Sequence, residues 1–379
     1  MVYSPVGIRS LSISLPSIKR TRDYYIEKYP DLVAQSEQKS LAKLFSLSGS
    51  TPSNEFDLEM MPYLSDPFRG TVEQRLLGPG ESSLTLEYDA AIKALEAAKL
   101  SVDDIDLILV ASVWPEQIGF GNAAFLAQQL DFQGAAWNLD AACGVTPVAL
   151  QTACALVRGG EYKKVLVVVS CTYSRFFDER DTIFWCISDG AGAFVVDRLE
   201  QNQGILGTKT INTRVLCNTL FSTISENELG HPLVRMEFSK ESSKLFRETV
   251  TDFLRTCCEG AASAAGVTLE QIDFFLFNTP TAWFARFCTR VLGIEPERTI
   301  NIHPQYANIG SVLSLANMYH AAHLSKIREN DLVLIYGFGV AGVASASVMR
   351  WGNVALSPDP LKVTDSTVKV SEGSRYVSC

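Results

Sequence analysis

Hydrophobic positions along this chain form a pattern that occurs twice. Residues 100–110 and 267–277 read alike, and each segment contains an Ile-Asp pair at the same place. The apolar run at 165–169 is repeated at 332–336 with the same offset of 167 residues. Because self-similarity at a fixed offset indicates a duplicated architecture, we predict two similar halves.

Within each half the pattern predicts a helix followed by strands. Apolar residues at helical spacing predict helices over about 84–100 and 246–265. The apolar runs that follow are short and rich in β-branched residues, which is typical of strands covered on both faces. The sequence therefore predicts an α/β fold with halves at 1–200 and 201–352, and a tail at 353–379 that lacks periodicity and is expected to lie on the surface.

Two glycine-rich segments, at 187–197 and 337–349, follow the second strand of each half. Small residues there let one backbone approach another closely. Residues 30–80 show no comparable pattern, and we expect an irregular insertion.

Composition and charge exclude several classes of protein. Apolar residues make up 47% of the 379-residue chain, so a large core is expected and disorder is not. The net charge of −9 argues against a general nucleic-acid binder, and no apolar run has the length of a membrane span. The nine cysteines include no Cys-x-x-Cys pair, which argues against a metal site or a disulfide framework and favours a cytoplasmic location.

Cys143 stands at a turn between a predicted strand and a predicted helix. The apolar stretch before it ends at Asp140, and Pro147 is tolerated in the first turn of the helix. A cysteine here faces the positive end of the helix dipole, which lowers the pKa of a thiol and favours the nucleophilic thiolate. A buried structural cysteine is the alternative. The remaining cysteines are interpreted as structural or incidental: Cys154, Cys171, Cys186, Cys217, Cys257, Cys258, Cys288 and Cys379.

Several motifs of the chain occur in a familiar order. They are Arg-Gly-Thr-Val-Glu-Gln-Arg at 69–75, Asp-Ala-Ala-Cys-Gly at 140–144, Ser-Asp-Gly-Ala-Gly-Ala at 188–193, Tyr-Ala-Asn-Ile-Gly-Ser at 306–311 and Phe-Gly-Val-Ala-Gly at 338–342. Together they resemble the β-ketoacyl-acyl carrier protein synthase III family of the thiolase superfamily. The resemblance implies a thiolase-like five-layer αβαβα fold, internally duplicated, in a homodimer that uses an acyl thioester substrate and no cofactor.

The resemblance also assigns roles to site residues. The family's cysteine forms an acyl-enzyme, and a His and an Asn stabilise the enolate that arises when a malonyl thioester loses carbon dioxide. Cys143 and Asn308 match these motifs, but Asn278 occupies the histidine position, and Thr281 occupies that of a second Asn. A neutral amide can donate a hydrogen bond to an oxyanion but cannot act as acid or base near pH 7. Thiolate formation then depends on the helix dipole unless another group contributes.

Backbone donors and one histidine complete the candidate site. The family's oxyanion hole uses the backbone N–H of the cysteine and of a residue in the C-terminal glycine-rich loop, here Cys143 and Val340. A backbone donor does not depend on its side chain, so valine at this position is compatible with that role. His303 is a possible catalytic substitute, although an ordinary loop or surface histidine is the alternative, and His320 and His323 are interpreted as structural.

The source of the acyl group stays open between coenzyme A and a carrier protein. The tryptophan of the family's coenzyme A clamp is replaced by Leu64. In the patch that docks the carrier protein, Trp283 replaces the main arginine, whereas Arg290 matches a basic position. An acyl carrier protein is therefore an expected partner. The segment 115–124 is expected to reach toward the acyl tunnel of a second copy.

Four functions remain possible at this point. The first is a ketosynthase III-like condensation, in specialised polyketide or fatty-acyl metabolism. The second is acyl transfer to an oxygen or nitrogen nucleophile, which does not need the enolate-stabilising His and so fits Asn278. The third is thioester hydrolysis. The fourth is a non-catalytic partner subunit resembling chain-length factors, against which the retained Cys143 and Asn308 argue.

Overall fold

Helices and strands alternate along most of the chain. The computed structural model describes residues 5–47, 54–226 and 232–360. Its α-helices are α1 (Arg22–Lys28), α2 (Pro30–Leu47), α3 (Glu55–Met60), α4 (Ser83–Ala98), α5 (Ala123–Gln129), α6 (Val145–Gly159), α7 (Ser242–Ala265), α8 (Phe284–Leu292), α9 (His303–Tyr306) and α10 (Leu313–His323). Its strands are β1 (Val6–Ser14), β2 (Ile18–Thr21), β3 (Glu73–Leu76), β4 (Leu107–Val113), β5 (Ala135–Asn138), β6 (Val165–Thr172), β7 (Asp189–Arg198), β8 (Gly204–Asn212), β9 (Leu220–Glu226), β10 (Pro232–Phe238), β11 (Phe274–Phe277), β12 (Leu332–Phe338), β13 (Val343–Arg350) and β14 (Ala355–Leu356).

Two sheets carry the same strand arrangement. In the first, of order β14-β1-β7-β6-β4-β5, β4 and β6 are parallel and β6 and β7 are antiparallel. In the second, of order β11-β12-β13-β8, β11 and β12 are parallel and β12 and β13 are antiparallel. Strands β11 and β12 begin 167 residues after β4 and β6, so the duplication predicted from the hydrophobic pattern is confirmed.

The sheets and helices stack in five layers. Helix α4 packs on the outer face of the first sheet and α7 on that of the second, whereas α6 and α10 lie between the sheets and contact both. Strands β4, β6 and β12 are buried on both faces for most of their length, which explains their continuous apolar sequences. The predicted αβαβα architecture is therefore confirmed, and the carboxyl ends of the central strands meet the inner helices where the candidate site lies.

One expectation about a segment outside the repeat is wrong. Residues 30–80 are not wholly irregular, since α2, α3 and β3 lie there; Pro30 at the first position of α2 and Asp31 in its first turn are helix-start signals that the missing periodicity obscured. Of the tail expected at 353–379, residues 353–360 lie largely at the surface but are tied to the first sheet, and residues 361–379 lie outside the described residues. Strand β14 pairs in parallel with β1, and the backbone of Ser357 bonds to that of Leu11 and to the hydroxyl of Tyr319.

Two kinds of feature are absent from residues 5–47, 54–226 and 232–360. No helix in these ranges combines the length and apolar character that crossing a membrane requires. The same ranges contain no group of three or more His, Cys, Asp or Glu side chains arranged to hold a metal ion.

Candidate active site

Cys143 lies at the turn that the sequence predicts. Strand β5 ends at Asn138, a 3-10 turn spans Ala142–Gly144, and α6 begins at Val145. Asp140 shapes the turn because its carboxylate accepts a hydrogen bond from the backbone N–H of Ala142 at 2.9 Å. The thiol is half-buried at the start of a helix that lies between the two sheets.

The thiol of Cys143 has a hydrogen-bond partner that no motif indicated. The hydroxyl of Tyr173, in the turn that follows β6, lies 3.0 Å from Cys143 Sγ. Gly310 makes room for this contact: a Cβ at Gly310 would lie 2.6 Å from Cys171 Sγ and 3.1 Å from the Tyr173 hydroxyl. Cys171, which sequence analysis set aside as structural or incidental, therefore lies beside the same tyrosine.

Burial dominates the ionisation of this cluster. It raises the pKa of the Cys143 thiol, and the hydrogen bond with Tyr173 opposes that rise without cancelling it. The expected lowering of the pKa by the helix dipole is therefore outweighed by the cost of desolvating a thiolate. Burial also raises the pKa of Tyr173 well above its ordinary value, so its hydroxyl stays protonated and can donate.

The glycine-rich loop between β12 and β13 packs directly on the Cys143 turn. A Cβ at Gly339 would lie 2.9 Å from the carbonyl of Ala141 and 3.0 Å from the backbone N of Gly144. The next residue, Val340, makes no backbone hydrogen bond within the described ranges, so its N–H is available as a donor. The loop that carries Val340 thus lies directly against the turn that carries Cys143.

Thr213 fixes the glycine-rich loop through its hydroxyl and its backbone. Its hydroxyl donates to the carbonyl of Gly339 at 2.8 Å and accepts from the N–H of Gly342 at 3.0 Å. Its backbone N–H donates to the carbonyl of Gly342 at 3.1 Å. Thr213 is fully buried, and these three bonds hold both ends of the loop that carries Val340.

Asn308 is oriented by its own loop. Its Oδ1 accepts from the N–H of Gly310 at 2.8 Å, and its backbone bonds to Cys186 and Ser188. With Oδ1 occupied, the amide Nδ2 is the donor that Asn308 can offer to a substrate. Gly310 also touches Tyr173, so Asn308 and Cys143 belong to one site.

Asn278 has one N–H that the protein uses and an acceptor with no partner. The residue is 1% exposed, and its Nδ2 donates to the carbonyl of Phe338 at 3.0 Å. Because a carbonyl only accepts, this bond fixes the orientation of the amide, and Oδ1 has no hydrogen-bond partner among the described residues. The buried hydroxyl of Thr281 likewise has no partner in the described part of the chain. One of the two amide N–H donors of Asn278 is thus used by the protein.

His303 is held in a structural role. Its Nδ1 lies 3.1 Å from the carbonyl of Thr279, so this nitrogen carries the proton and Nε2 accepts from the Thr71 hydroxyl at 3.2 Å. Burial lowers its pKa to about 4, which keeps the ring neutral. Both nitrogens are occupied away from Cys143, so the structure argues against His303 as a catalytic substitute.

The candidate docking patch is covered by α3. Trp283 is 5% exposed and packs edge-to-face against Phe56 with ring centroids 4.5 Å apart, so it is a core residue and not a docking residue. Arg290 pairs with Glu59 at 2.6 Å, and Arg286 pairs with the same carboxylate at 3.5 Å. The acidic side chain of α3 therefore neutralises the basic face of α8 on which a carrier protein was expected to dock.

The coenzyme A clamp is absent in its expected form as well. Leu64 is 3% exposed and belongs to the interior, where it cannot stack on a nucleotide. The nearby Arg69 directs its guanidinium at the carbonyls of Tyr63 and Leu64 at 2.9 and 2.6 Å. Neither residue presents a base-stacking surface to solvent.

Strained backbone occurs next to three of the candidate site residues, although other non-glycine residues with positive φ lie elsewhere in the described chain. Ala142 precedes Cys143, Ala307 precedes Asn308 and Ala341 follows Val340; their φ values are 50°, 52° and 53°. Non-glycine residues rarely adopt this region, and each such residue costs about 1–3 kcal/mol. Strain of this kind persists where the surrounding packing imposes it.

Comparison with known proteins agrees with this geometry. Models of the 3-oxoacyl-acyl carrier protein synthase III family match residues 137–213 and, for its C-terminal part, residues 262–351. The β-ketoacyl-acyl carrier protein synthase III of Chelativorans sp. (strain BNC1) is 30% identical over 314 residues, covering 78% of this chain and 94% of the relative.

Solved structures show the same fold. The synthase III of Thermus thermophilus has a TM-score of 0.74 at 22% identity and covers 92% of this chain and 99% of its own. The priming β-ketosynthase of the R1128 polyketide pathway has a TM-score of 0.76 at 17% identity, with coverages of 92% and 97%. With a relative of this identity and coverage, and with the Cys143 turn, the Asn308 loop and the glycine-rich loop brought together, the chain belongs to the β-ketoacyl-acyl carrier protein synthase III family, a family of acyltransferases.

Proposed function

We propose that this protein transfers acyl groups through a thioester on Cys143, in the manner of a ketosynthase III-like condensation in specialised polyketide or fatty-acyl metabolism. The observation that carries the proposal is the convergence on Cys143 of a helix start, the Tyr173 hydroxyl and the glycine-rich loop. Cys143 supplies the nucleophile, and the N–H groups of Cys143 and Val340 are the donors for the oxyanion that forms on the acyl carbonyl. Asn308 supplies a side-chain donor.

The chemistry of Asn278 favours a second candidate, acyl transfer to an alcohol or amine without decarboxylation. A malonyl enolate needs hydrogen-bond donors, and one of the two N–H donors of Asn278 is committed to Phe338. The unpartnered Oδ1 suits a hydroxyl or amino group, because both carry a proton that an acceptor can bind. Both candidates share the Cys143 acyl-enzyme and differ in the group that removes the acyl chain.

One experiment separates the two candidates. The protein is incubated with acyl donors on coenzyme A and on a carrier protein, each with and without the malonyl thioester, and carbon dioxide and adduct mass are measured on the same samples. A condensing enzyme releases carbon dioxide as the acyl adduct is lost from Cys143. Asn278→Ala is expected to leave the acylation of Cys143 intact. Efficient loading without carbon dioxide from any malonyl donor contradicts the condensation and supports acyl transfer to oxygen or nitrogen.

The donor is proposed to be an acyl thioester, with the carrier protein and coenzyme A as the two sources. The ion pairs of α3 weaken the case for docking on α8, and buried Leu64 weakens the case for a coenzyme A clamp. Kinetics with the same acyl group on both carriers distinguish them. The protein is proposed to act as a homodimer in the cytoplasm.

A further inference from the structure

The nucleophile lacks the histidine that the family resemblance implies, and the described structure supplies a different polar neighbour. Tyr173 Oη lies 3.0 Å from Cys143 Sγ, and the thiol of Cys171 lies beside the same tyrosine around Gly310. The tyrosine is 7% exposed and is locked by packing against Gly310 and by an edge-to-face contact with Phe177 at 6.1 Å. A hydroxyl held this firmly meets the sulfur without reorganisation.

We propose that Tyr173 is a catalytic residue that donates a hydrogen bond to the Cys143 thiolate, both before acylation and when this sulfur leaves the acyl-enzyme. The inference rests on the proposed role of Cys143 and names the group that replaces the missing histidine. A thiolate can only accept, so the tyrosine hydroxyl must be the donor in the ionised pair. Hydrogen bonds to a charged partner contribute about twice as much as neutral ones.

The hydroxyl of Tyr173 offsets the energetic cost of forming a thiolate on Cys143. Burial works against the charged sulfur, and Asp140 adds a repulsive contribution. Across the site, Cys171 is buried with its pKa raised well above the ordinary value, so it adds no charge. Asp189, the nearest carboxylate beyond Cys171, is held by the N–H of Leu77 and by the N–H and hydroxyl of Ser174. Tyr173 is thus the side chain whose contact favours the ionised Cys143.

Acyl transfer through Cys143 takes place in two half-reactions. Cys143 loses its proton to solvent, and its thiolate attacks the carbonyl carbon of the donor thioester. A new C–S bond forms as the bond to the donor sulfur breaks, and the departing thiolate takes a proton from water. In the second half, an acceptor attacks the same carbon and Cys143 Sγ departs as a thiolate. Tyr173 donates to that sulfur in both charged states and keeps its own proton throughout.

The test measures the ionisation of the thiol without any acyl donor. Alkylation of Cys143 by iodoacetamide, followed by peptide mass mapping, is recorded from pH 6 to 11 for the unmodified protein and for Tyr173→Phe. Loss of a charge-assisted hydrogen bond is expected to raise the apparent pKa by about 1–2 units and to slow alkylation at pH 7 by roughly 10- to 100-fold. Tyr319→Phe is the matched control, since it removes another buried hydroxyl that donates to the carbonyl of Ser357 at 2.8 Å. In a Cys171→Ala background, Tyr173→Phe is expected to raise the apparent pKa of Cys143 by the same amount.

A second measurement covers the case in which Tyr173→Phe does not fold. Replacing the tyrosines by fluorotyrosine makes the phenol a stronger donor and is expected to lower the alkylation pKa of Cys143. An unchanged pKa in Tyr173→Phe, or in the fluorinated protein, overturns the role of Tyr173. This outcome differs from failure of the proposed function, in which the pKa shift is present but no acyl adduct forms on Cys143.

Discussion

At the scale of single residues, the candidate site consists of buried polar groups, most of which form hydrogen bonds to other groups of the protein. Asn278 donates one amide N–H to Phe338, and both nitrogens of His303 are bonded to Thr71 and Thr279. Cys143 is half-buried, and the group that contacts its thiol is the neutral hydroxyl of Tyr173. Tyr173 thus offers Cys143 a hydrogen bond rather than a charged partner.

The buried histidine predicts an acid-sensitive fold. The pKa of His303 is about 4 in the folded protein against 6.5 for an ordinary histidine, so the folded state binds fewer protons. Stability therefore falls as the pH drops through about 6.5 and levels off below about 4, a loss of roughly 3 kcal/mol from this residue. His303→Asn keeps an amide donor for Thr279 and removes the ionisable ring.

Urea unfolding at pH 7.5 and pH 5 measures this effect. We expect His303→Asn to show a smaller loss of unfolding free energy between the two pH values. His320, whose pKa is also lowered to about 4, adds to that loss, and Glu87, whose pKa burial raises to about 7, opposes it. Cys143 acylation at pH 7.5 should be unchanged. An unaltered pH dependence contradicts the ionisation argument, and a lost adduct contradicts the structural role of His303.

At the scale of secondary-structure elements, the site depends on loops held by residues outside every motif. Thr213, just after β8, bonds to both ends of the glycine-rich loop. Helix α3 inserts Phe56 beside Trp283 and places Glu59 against the arginines of α8. Both contacts join segments that are far apart in sequence. The packing of helices, strands and loops therefore determines which groups can contact a substrate.

The hydroxyl of Thr213 is predicted to matter for rate more than for substrate binding. Thr213→Val preserves shape and removes the bonds to Gly339 and Gly342, so the loop carrying Val340 should lose its exact position. We expect kcat to fall by roughly 10- to 100-fold, because small misplacements of a catalytic group are costly, with KM little changed. Thr213→Ser keeps the hydroxyl and should retain most activity; equal losses in both variants would show that the hydroxyl is not the cause.

The ion pairs of α3 predict how the donor is selected. Glu59→Gln removes the carboxylate that neutralises Arg286 and Arg290, which exposes a basic face suited to an acidic carrier protein. We expect a lower KM for a carrier-bound donor and no change for the same acyl group on coenzyme A. Glu55→Gln removes the same charge from the same helix and is the matched control. Equal changes for both donors would place carrier docking away from α8.

Sequence reasoning succeeded where the chemistry is local. The helix start at Cys143 follows from Pro147 and the preceding strand, and the repeated apolar runs locate β4, β6, β11 and β12 because buried strands leave a continuous signal. Tyr173 was missed because its contact with Cys143 spans 30 residues and no spacing rule encodes it. Thr213 and α3 were missed for the same reason: their roles arise from tertiary packing.

At the scale of the whole molecule, one edge of the first sheet lies beside a loop with large exposed apolar side chains. Strand β5 lies at the end of that sheet, and the loop before α5 exposes 81% of Phe120 and 62% of Ile118. The loop is nevertheless well anchored: Asn138 donates to the carbonyl of Phe120 at 2.8 Å, and Asn122 donates to the buried carboxylate of Glu87 at 2.8 Å. Exposed apolar side chains that lie close together on an anchored loop are typical of an interface.

These features predict a stable homodimer through β5 and the Phe120 loop. Light scattering at micromolar concentration should give about twice the chain mass of 41.6 kDa. Phe120→Ser is expected to weaken the dimer, whereas Leu324→Ser, which alters a side chain 59% exposed elsewhere on the surface, should not. A mass near that of one chain across this concentration range contradicts the prediction.

The central claim, that Cys143 carries the acyl group, is tested most directly by intact-mass spectrometry with peptide mapping. The protein is incubated with a panel of acyl-coenzyme A and acyl-carrier donors, alongside Cys143→Ala and, as a matched control, Cys154→Ala, which alters a buried cysteine of the helix that follows Cys143. We expect one acyl mass increment per chain, mapped to Cys143, retained in Cys154→Ala and absent from Cys143→Ala. An increment that survives Cys143→Ala, or that maps to Cys154, would contradict the claim.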